Sequence, residues 1–296
     1  MHKINLPAPQ VREGMSLAEA RRAALQGCWQ QIEASAAEIV AVPTDAEPVH
    51  RLRVGLRRLR SLQRFLSDAG VETPAWAAPV AQLFRRLSAA RDHDVVDTVM
   101  LPRVQAAFAS LQGPDEGTPQ PPWHLTVHLH GETPAEVLRD PASQRLLRDL
   151  RRALAVPGFD AAGERHALQA LAKRRLERWH RRVLAGIGRF ADLDEAERHA
   201  LRKRIKRLRY AAEWVAPLYP RRTVKPYLVA LNDAQTCLGE ISDVALAWRV
   251  LCKQVDGEPQ TLFALGWLAA QRECLLAAAP SRLSVLAGVR RFWAHR

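Results

Sequence analysis

Apolar residues recur at three- and four-residue spacing over most of this chain, so the expected fold class is all-α: antiparallel helical bundles joined by short loops. Two more observations point the same way. Capping signals and Pro or Gly stops divide the chain into helix-length pieces. Only one segment, WHLTVHLHG at 123–131, alternates apolar and polar residues with the period of a strand.

Taken in order, Ser16 and Glu19 form a capping box for a helix that carries Ala20, Ala24, Cys28, Ile32 and Ile39 to Val42, where Pro43 ends it. Asp45 is placed to cap the next helix, Pro48 fits its first turn, and Gly70 suits the position after its end. Thr73-Pro74 opens a third helix through Leu83, Phe84 and Leu87 to the segment ARDHDV, and a fourth continues from Val95 to about Leu111. The stretch GPDEGTPQPP that follows cannot pack. In the alternating segment His124, His128 and His130 lie near one face with no carboxylate or thiol beside them, which reads as an exposed linker and not as a metal site.

A short helix from Ala142 to Ala155 leads past Pro157-Gly158 into a long one through Trp179 toward Gly186. Leu168, Leu171, Leu176, Trp179 and Val183 mark its packing side, and Arg174, Arg175, Arg178, Arg181 and Arg182 fall elsewhere on its circumference. Asp192 or Asp194 caps a helix running to Trp214 before Pro217, and another spans Arg222 to Leu238 and reaches GEISDV. Two Leu- and Ala-rich helices, Gln260–Ala278 and Ser281–Trp293, complete about eleven. The expected division is a helical half at 1–112, a Pro- and His-containing linker at 113–140, and a second half with added C-terminal helices at 141–296.

The division rests on an internal repeat. HRLRVGLRRLR, His50–Arg60, returns as HALRKRIKRLR, His199–Arg209, at an offset of 199 − 50 = 149 residues. Asp94-Val95 and Asp243-Val244 share that offset, as do Phe65 and Trp214. At about 100° per residue, His50, Arg53, Arg57, Arg60 and Arg64 form one stripe, with Leu52, Leu56, Leu59, Leu62 and Leu66 on another face. In the second copy His199, Arg202, Lys206 and Arg209 form the stripe, and Leu201, Ile205 and Leu208 face a core. Solvated helix faces usually alternate acids with bases, because like charges four residues apart repel. Neither stripe meets an acid until Glu213, so the pair reads as two parts of one anion-binding site, to which Arg178 and Arg182 are candidate extensions.

A net charge of +13 from 44 basic and 31 acidic residues favours a polyanionic partner. The first fifteen residues lack the apolar core of a signal peptide, and no apolar run of about 18 residues is read anywhere, so a cytoplasmic protein without membrane spans is expected. Cys28, Cys237, Cys252 and Cys274 have no paired spacing and read as reduced core thiols. With no phosphate-binding glycine run, no hydrolase triad order and no organised metal set, neither a catalytic residue nor a cofactor is expected.

VHRLRVGLRRLR followed by ARDHDV, and HALRKRIKRLRYAAEW followed by LGEISDV, resemble the conserved-histidine α-helical domain family, CHAD, over nearly the whole chain. The resemblance implies two four-helix bundles related by a pseudo-two-fold axis, with a basic channel between them that binds inorganic polyphosphate, often at polyphosphate granules. It places His50, Arg53, Arg57, Arg60, His199, Arg202, Lys206 and Arg209 at the motif's basic positions. Many such proteins carry a triphosphate-tunnel catalytic domain, for which this length leaves no room. Glu213 and the linker depart from the pattern.

Two other readings stand beside it. An RNA-binding protein would explain the charge, although the stripes offer no stacking aromatic except flanking Tyr210. A magnesium-dependent enzyme acting on phosphate polymers would use Asp94 and Asp243, but lone aspartates beside a cationic stripe more often cap helices or orient arginines. Histidines among arginines should lose their protons readily and regain them on binding phosphate, so binding should tighten below neutral pH.

Overall fold

A computed structural model of the chain describes residues 11–43, 45–67, 73–110, 123, 125, 132–155, 167–253 and 257–294. The expected stop at Gly70 and most of the alternating histidine segment lie outside them. The regular structure among them is helical: α1 (Leu17–Ala41), α2 (Ala46–Ser67), α3 (Ala77–Val95), α4 (Leu101–Ser110), α5 (Pro134–Arg139), α6 (Pro141–Ala155), α7 (Ala167–Gly188), α8 (Glu195–Val215), α9 (Arg221–Cys252) and α10 (Pro259–Gly288), with short 3₁₀ turns on either side of α8.

The starts follow local chemistry. Ser16 and Glu19 make the expected reciprocal cap on α1, and Asp194 and Glu197 make one on α8. On α2 the Asp45 carboxylate accepts from the Glu47 amide at 2.9 Å. These bonds occupy amides that a helix cannot satisfy internally. Asp194→Ala should lower thermal stability by about 1 kcal/mol, measurable by calorimetry.

α3 and α4 are joined by a π-helical turn, Val96–Met100, in which the Leu101 amide reaches back to the Val96 carbonyl. Pro102 explains the wider turn, since it has no N–H for the Thr98 carbonyl and its ring would crowd that oxygen in an α-helix. Pro280 lies inside α10, so the two expected C-terminal helices are one. Burial of Ala279, Leu283 and Leu286 holds the axis through it. Phe292 and Trp293, expected in a helix, instead follow it and close an aromatic cluster with Tyr219 and Tyr227 at centroid distances of 4.8 to 5.6 Å.

Three apolar cores organise the helices. The largest joins the end of α2 to α7, α8, α9 and the C-terminal half of α10 through Phe65, Trp179, Ile205, Trp214 and Leu283. A second joins α1, α2 and α3 to α5 and α6. A third holds the π turn and α4 against α9 and the start of α10. Packing therefore distributes the chain differently from the division at 113–140. α5, capped by Thr133 and Glu136, forms inside the stretch read as linker. α6, placed by sequence in the second half, buries Leu146, Leu150 and Leu154 among first-half helices.

Two composition-based expectations change. α10 is long and apolar enough by length and composition to cross a bilayer, contrary to the reading that no such stretch exists. Here it lies along α9, with Thr261, Ala264, Leu268 and its C-terminal apolar residues buried. The cysteines are free, but only Cys28 and Cys237 are buried, and Cys274 is exposed on α10.

Candidate anion-binding site

Both basic stripes form on the helices expected for them, and in each case the leucine face explains why. Leu52, Leu56 and Leu59 on α2, and Leu201, Ile205 and Leu208 on α8, are fully buried, which fixes the rotation of each helix. The opposite consequence falls on the cations. Arg53, Arg57 and Arg60 on α2, and Arg202, Lys206 and Arg209 on α8, are partly buried, whereas His50, Arg64 and His199 are exposed.

The two helices meet. Phe65 and Trp214, equated by the 149-residue offset, touch edge to face with centroids 5.1 Å apart. Arg57 Nη1 of α2 donates to the Tyr210 hydroxyl of α8 at 3.2 Å. Lys206, the counterpart of Arg57, lies within the field of Arg202 on its own helix and of Arg57 and Arg53 on α2, opposed by Asp243 of α9. Burial comes first and these arginines second in pushing its amine down to about 6, so Lys206 is largely neutral at pH 7. A buried ammonium among guanidinium groups has lost hydration and gained repulsion, and shedding its proton relieves both.

A second group of cations continues from the first. Arg207 of α8 is pushed down to about 10 by burial and then by Arg64, Arg204, Arg60 and Arg182. Arg60 is lowered by burial and by Arg64, Arg85 and Arg57. Arg182 of α7, a candidate extension, adds to the field at Arg207. Arg178 is exposed on the same helix and contributes to the field at Arg175.

The surrounding side chains hold the arginines in place. Arg53 Nη2 approaches the Ser88 hydroxyl of α3 at 3.5 Å. The Phe84 ring lies under both Arg57 and Arg60, 5.3 and 5.0 Å from their guanidinium carbons. Arg202 pairs loosely with Asp243 at 3.9 Å. Arg209 pairs with Glu213 at 3.3 Å, reaches Asn232 at 3.5 Å and lies over the Tyr210 ring. Asp243 thus faces an arginine of the stripe. The Asp92 and Asp94 side chains lie outside the described residues. No cluster suited to a metal ion occurs among the described residues.

Sequence reasoning missed Phe84, Arg85 and Arg207. Phe84 reads simply as a core residue of its helix, and nothing local shows that it ends beneath another helix's guanidinium groups. Arg175, read as one of several circumferential bases, is almost completely buried and donates from Nε to the Phe65 carbonyl at 2.9 Å. The bond ties α7 to the C-terminal part of α2. The His199 imidazole is lowered, as expected: its ring loses part of its hydration although the residue is exposed at the surface, and Lys203, Arg202, Lys206 and Arg249 add their repulsion.

Fold and site together define an all-α protein in which two repeated basic helices pack against each other. The chain belongs to the CHAD domain family, whose model matches residues 23–252. Among solved structures it is similar to the CHAD domain of the plant Ricinus communis, with 26% identity, a TM-score of 0.74, and 96% of each chain covered. No curated protein matches significantly.

Proposed function

We propose that this protein binds inorganic polyphosphate along the cations shared by α2 and α8, as a non-catalytic protein of polyphosphate granules in the cytoplasm. The observation that carries the reading is the meeting of Arg53 and Arg57 of α2 with Arg202 and the Lys206 amine of α8, basic groups from two helices in one electrostatic field that Asp243 opposes. So many like charges repel one another, and a polyanion turns that repulsion into attraction. Arginine forks match phosphate oxygens two at a time, and a polymer of identical phosphates can engage such a row in many registers.

RNA is the second reading. Phe84 lies under Arg57 and Arg60, and the buried Tyr210 lies under Arg209, which favours a role for both rings in holding guanidinium groups over one in stacking bases. Titration by calorimetry, with polyphosphate and single-stranded RNA compared at equal phosphate concentration, tests the choice. Polyphosphate should bind more tightly and be displaced poorly by RNA; displacement at parity would make RNA the ligand. Incubation with magnesium should leave polymer length unchanged on a gel, and shortening that is lost in Asp94→Ala would make the protein an enzyme.

A further inference from the structure

A separate cleft opens between the end of α8 and the first turns of α9, with a volume of about 660 Å³. That is the size range of small-molecule sites, roughly 300–1,000 Å³. Its lining joins two kinds of surface. Arg209, Arg221 and Lys225 supply cations, and Val224, Leu228 and Tyr219 supply apolar and aromatic area. Arg209 is held in place by Glu213 and Asn232, which also line the cleft. The Tyr219 ring is braced edge to face by Phe292 at 4.9 Å. α9 begins at Arg221, after an N-cap, Pro220, that offers no side-chain bond, so the positive end of a 32-residue helix adds to the field of Arg221.

An inorganic phosphate chain has no use for the apolar wall, and a purely apolar ligand has none for three cations. We propose that this cleft binds a small organic phosphate of the nucleotide class, its phosphoryl group among Arg209, Arg221 and Lys225 and its base against Tyr219 and Leu228. Binding energy then comes from both ends of the ligand: charge-assisted hydrogen bonds at one and buried ring surface at the other. The site does not depend on polyphosphate binding, from which only Arg209 is shared.

Adenosine monophosphate, titrated into the full chain by calorimetry, tests the proposal. It should bind with one-to-one stoichiometry and at least about tenfold more tightly than inorganic phosphate, which lacks the ring. Lys225→Glu and Tyr219→Ala should each weaken it about tenfold, while Arg53→Ala with Arg202→Ala leaves it unchanged. Lys225 is exposed, so its variant decides the matter even if Tyr219→Ala disturbs the Phe292 contact and lowers stability. No saturable binding, equal binding of inorganic phosphate, or indifference to Lys225→Glu overturns the proposal. Failure of polyphosphate binding in the same preparation, with adenosine monophosphate still bound, would count against the α2 and α8 reading alone.

Discussion

Replacing Arg53 and Arg202 together by alanine should weaken polyphosphate binding about a hundredfold, each lost contact contributing about tenfold. The two residues occupy equivalent positions of the repeat on helices that meet, so a ligand spanning both helices loses one grip on each. Their guanidinium groups lie on the polar faces, opposite the buried leucines, so the helical circular dichroism should not change. Salt gives an independent readout. Affinity should fall steeply with ionic strength through counterion release, and the double variant should lower that slope by about 1–2. As a control for bulk charge, alanine at Arg148 and Arg151, both exposed on α6, should cost far less. Equal losses in the two double variants would show attraction to overall charge, and unchanged affinity in the first would remove α2 and α8 from the binding site.

Affinity for polyphosphate should rise as pH falls from about 9 toward 6, by up to about tenfold per pH unit where one proton is taken up. The group responsible is Lys206, whose free-state amine titrates at about 6 through burial and the neighbouring Arg202, Arg57 and Arg53, with Asp243 opposing. Bound phosphate restores the ordinary upward pull, so the complex holds a proton that the free protein lacks. The dependence begins at the raised value of the complex and ends near 6, below which both states are protonated. His199 has its window lower, beneath the ordinary histidine value, so pH 7–9 isolates the lysine. Lys206→Met should flatten the profile there, and a profile unchanged by that variant would assign the proton elsewhere. The apo protein should show the opposite trend in stability. Because the folded value lies below the unfolded one of 10.5, the unfolded chain holds the extra proton between them. Stability therefore rises with pH from about 6 upward, at most about 1.4 kcal/mol per unit, and is independent of this group below 6.

Spacing alone points to the histidines for binding below neutral pH, whereas the largest downward shift among the stripe residues falls on a lysine, so the main dependence is expected there. The difference is instructive about what spacing can say. A stripe of cations on one helix implies repulsion along that helix, but the shift at Lys206 also needs Arg53 and Arg57 brought in from α2 and the water removed by packing. Arg175 makes the same point in reverse: its place in a run of bases suggests solvent, and its role at the end of α2 appears only when α7 docks there.

Much of the architecture could nevertheless be read locally. The capping boxes at Ser16 and Asp194 start their helices as expected, and the leucine faces of α2 and α8 are buried as their spacing requires. The repeat offset even equated Phe65 with Trp214, residues that prove to be in contact. What failed was partnership and continuity. α6 joined the first-half core, and α10 passed through Pro280 without breaking.

The amino-acid order alone settled where α1 and α8 begin, which faces of α2 and α8 are oily and which are basic, and that one basic helix is written twice. Those features depend on neighbours three or four residues away. Only tertiary structure decided which faces meet, which arginine is buried, and which lysine gives up its charge. These depend on dehydration and on fields from groups distant along the chain, and no short-range pattern encodes either.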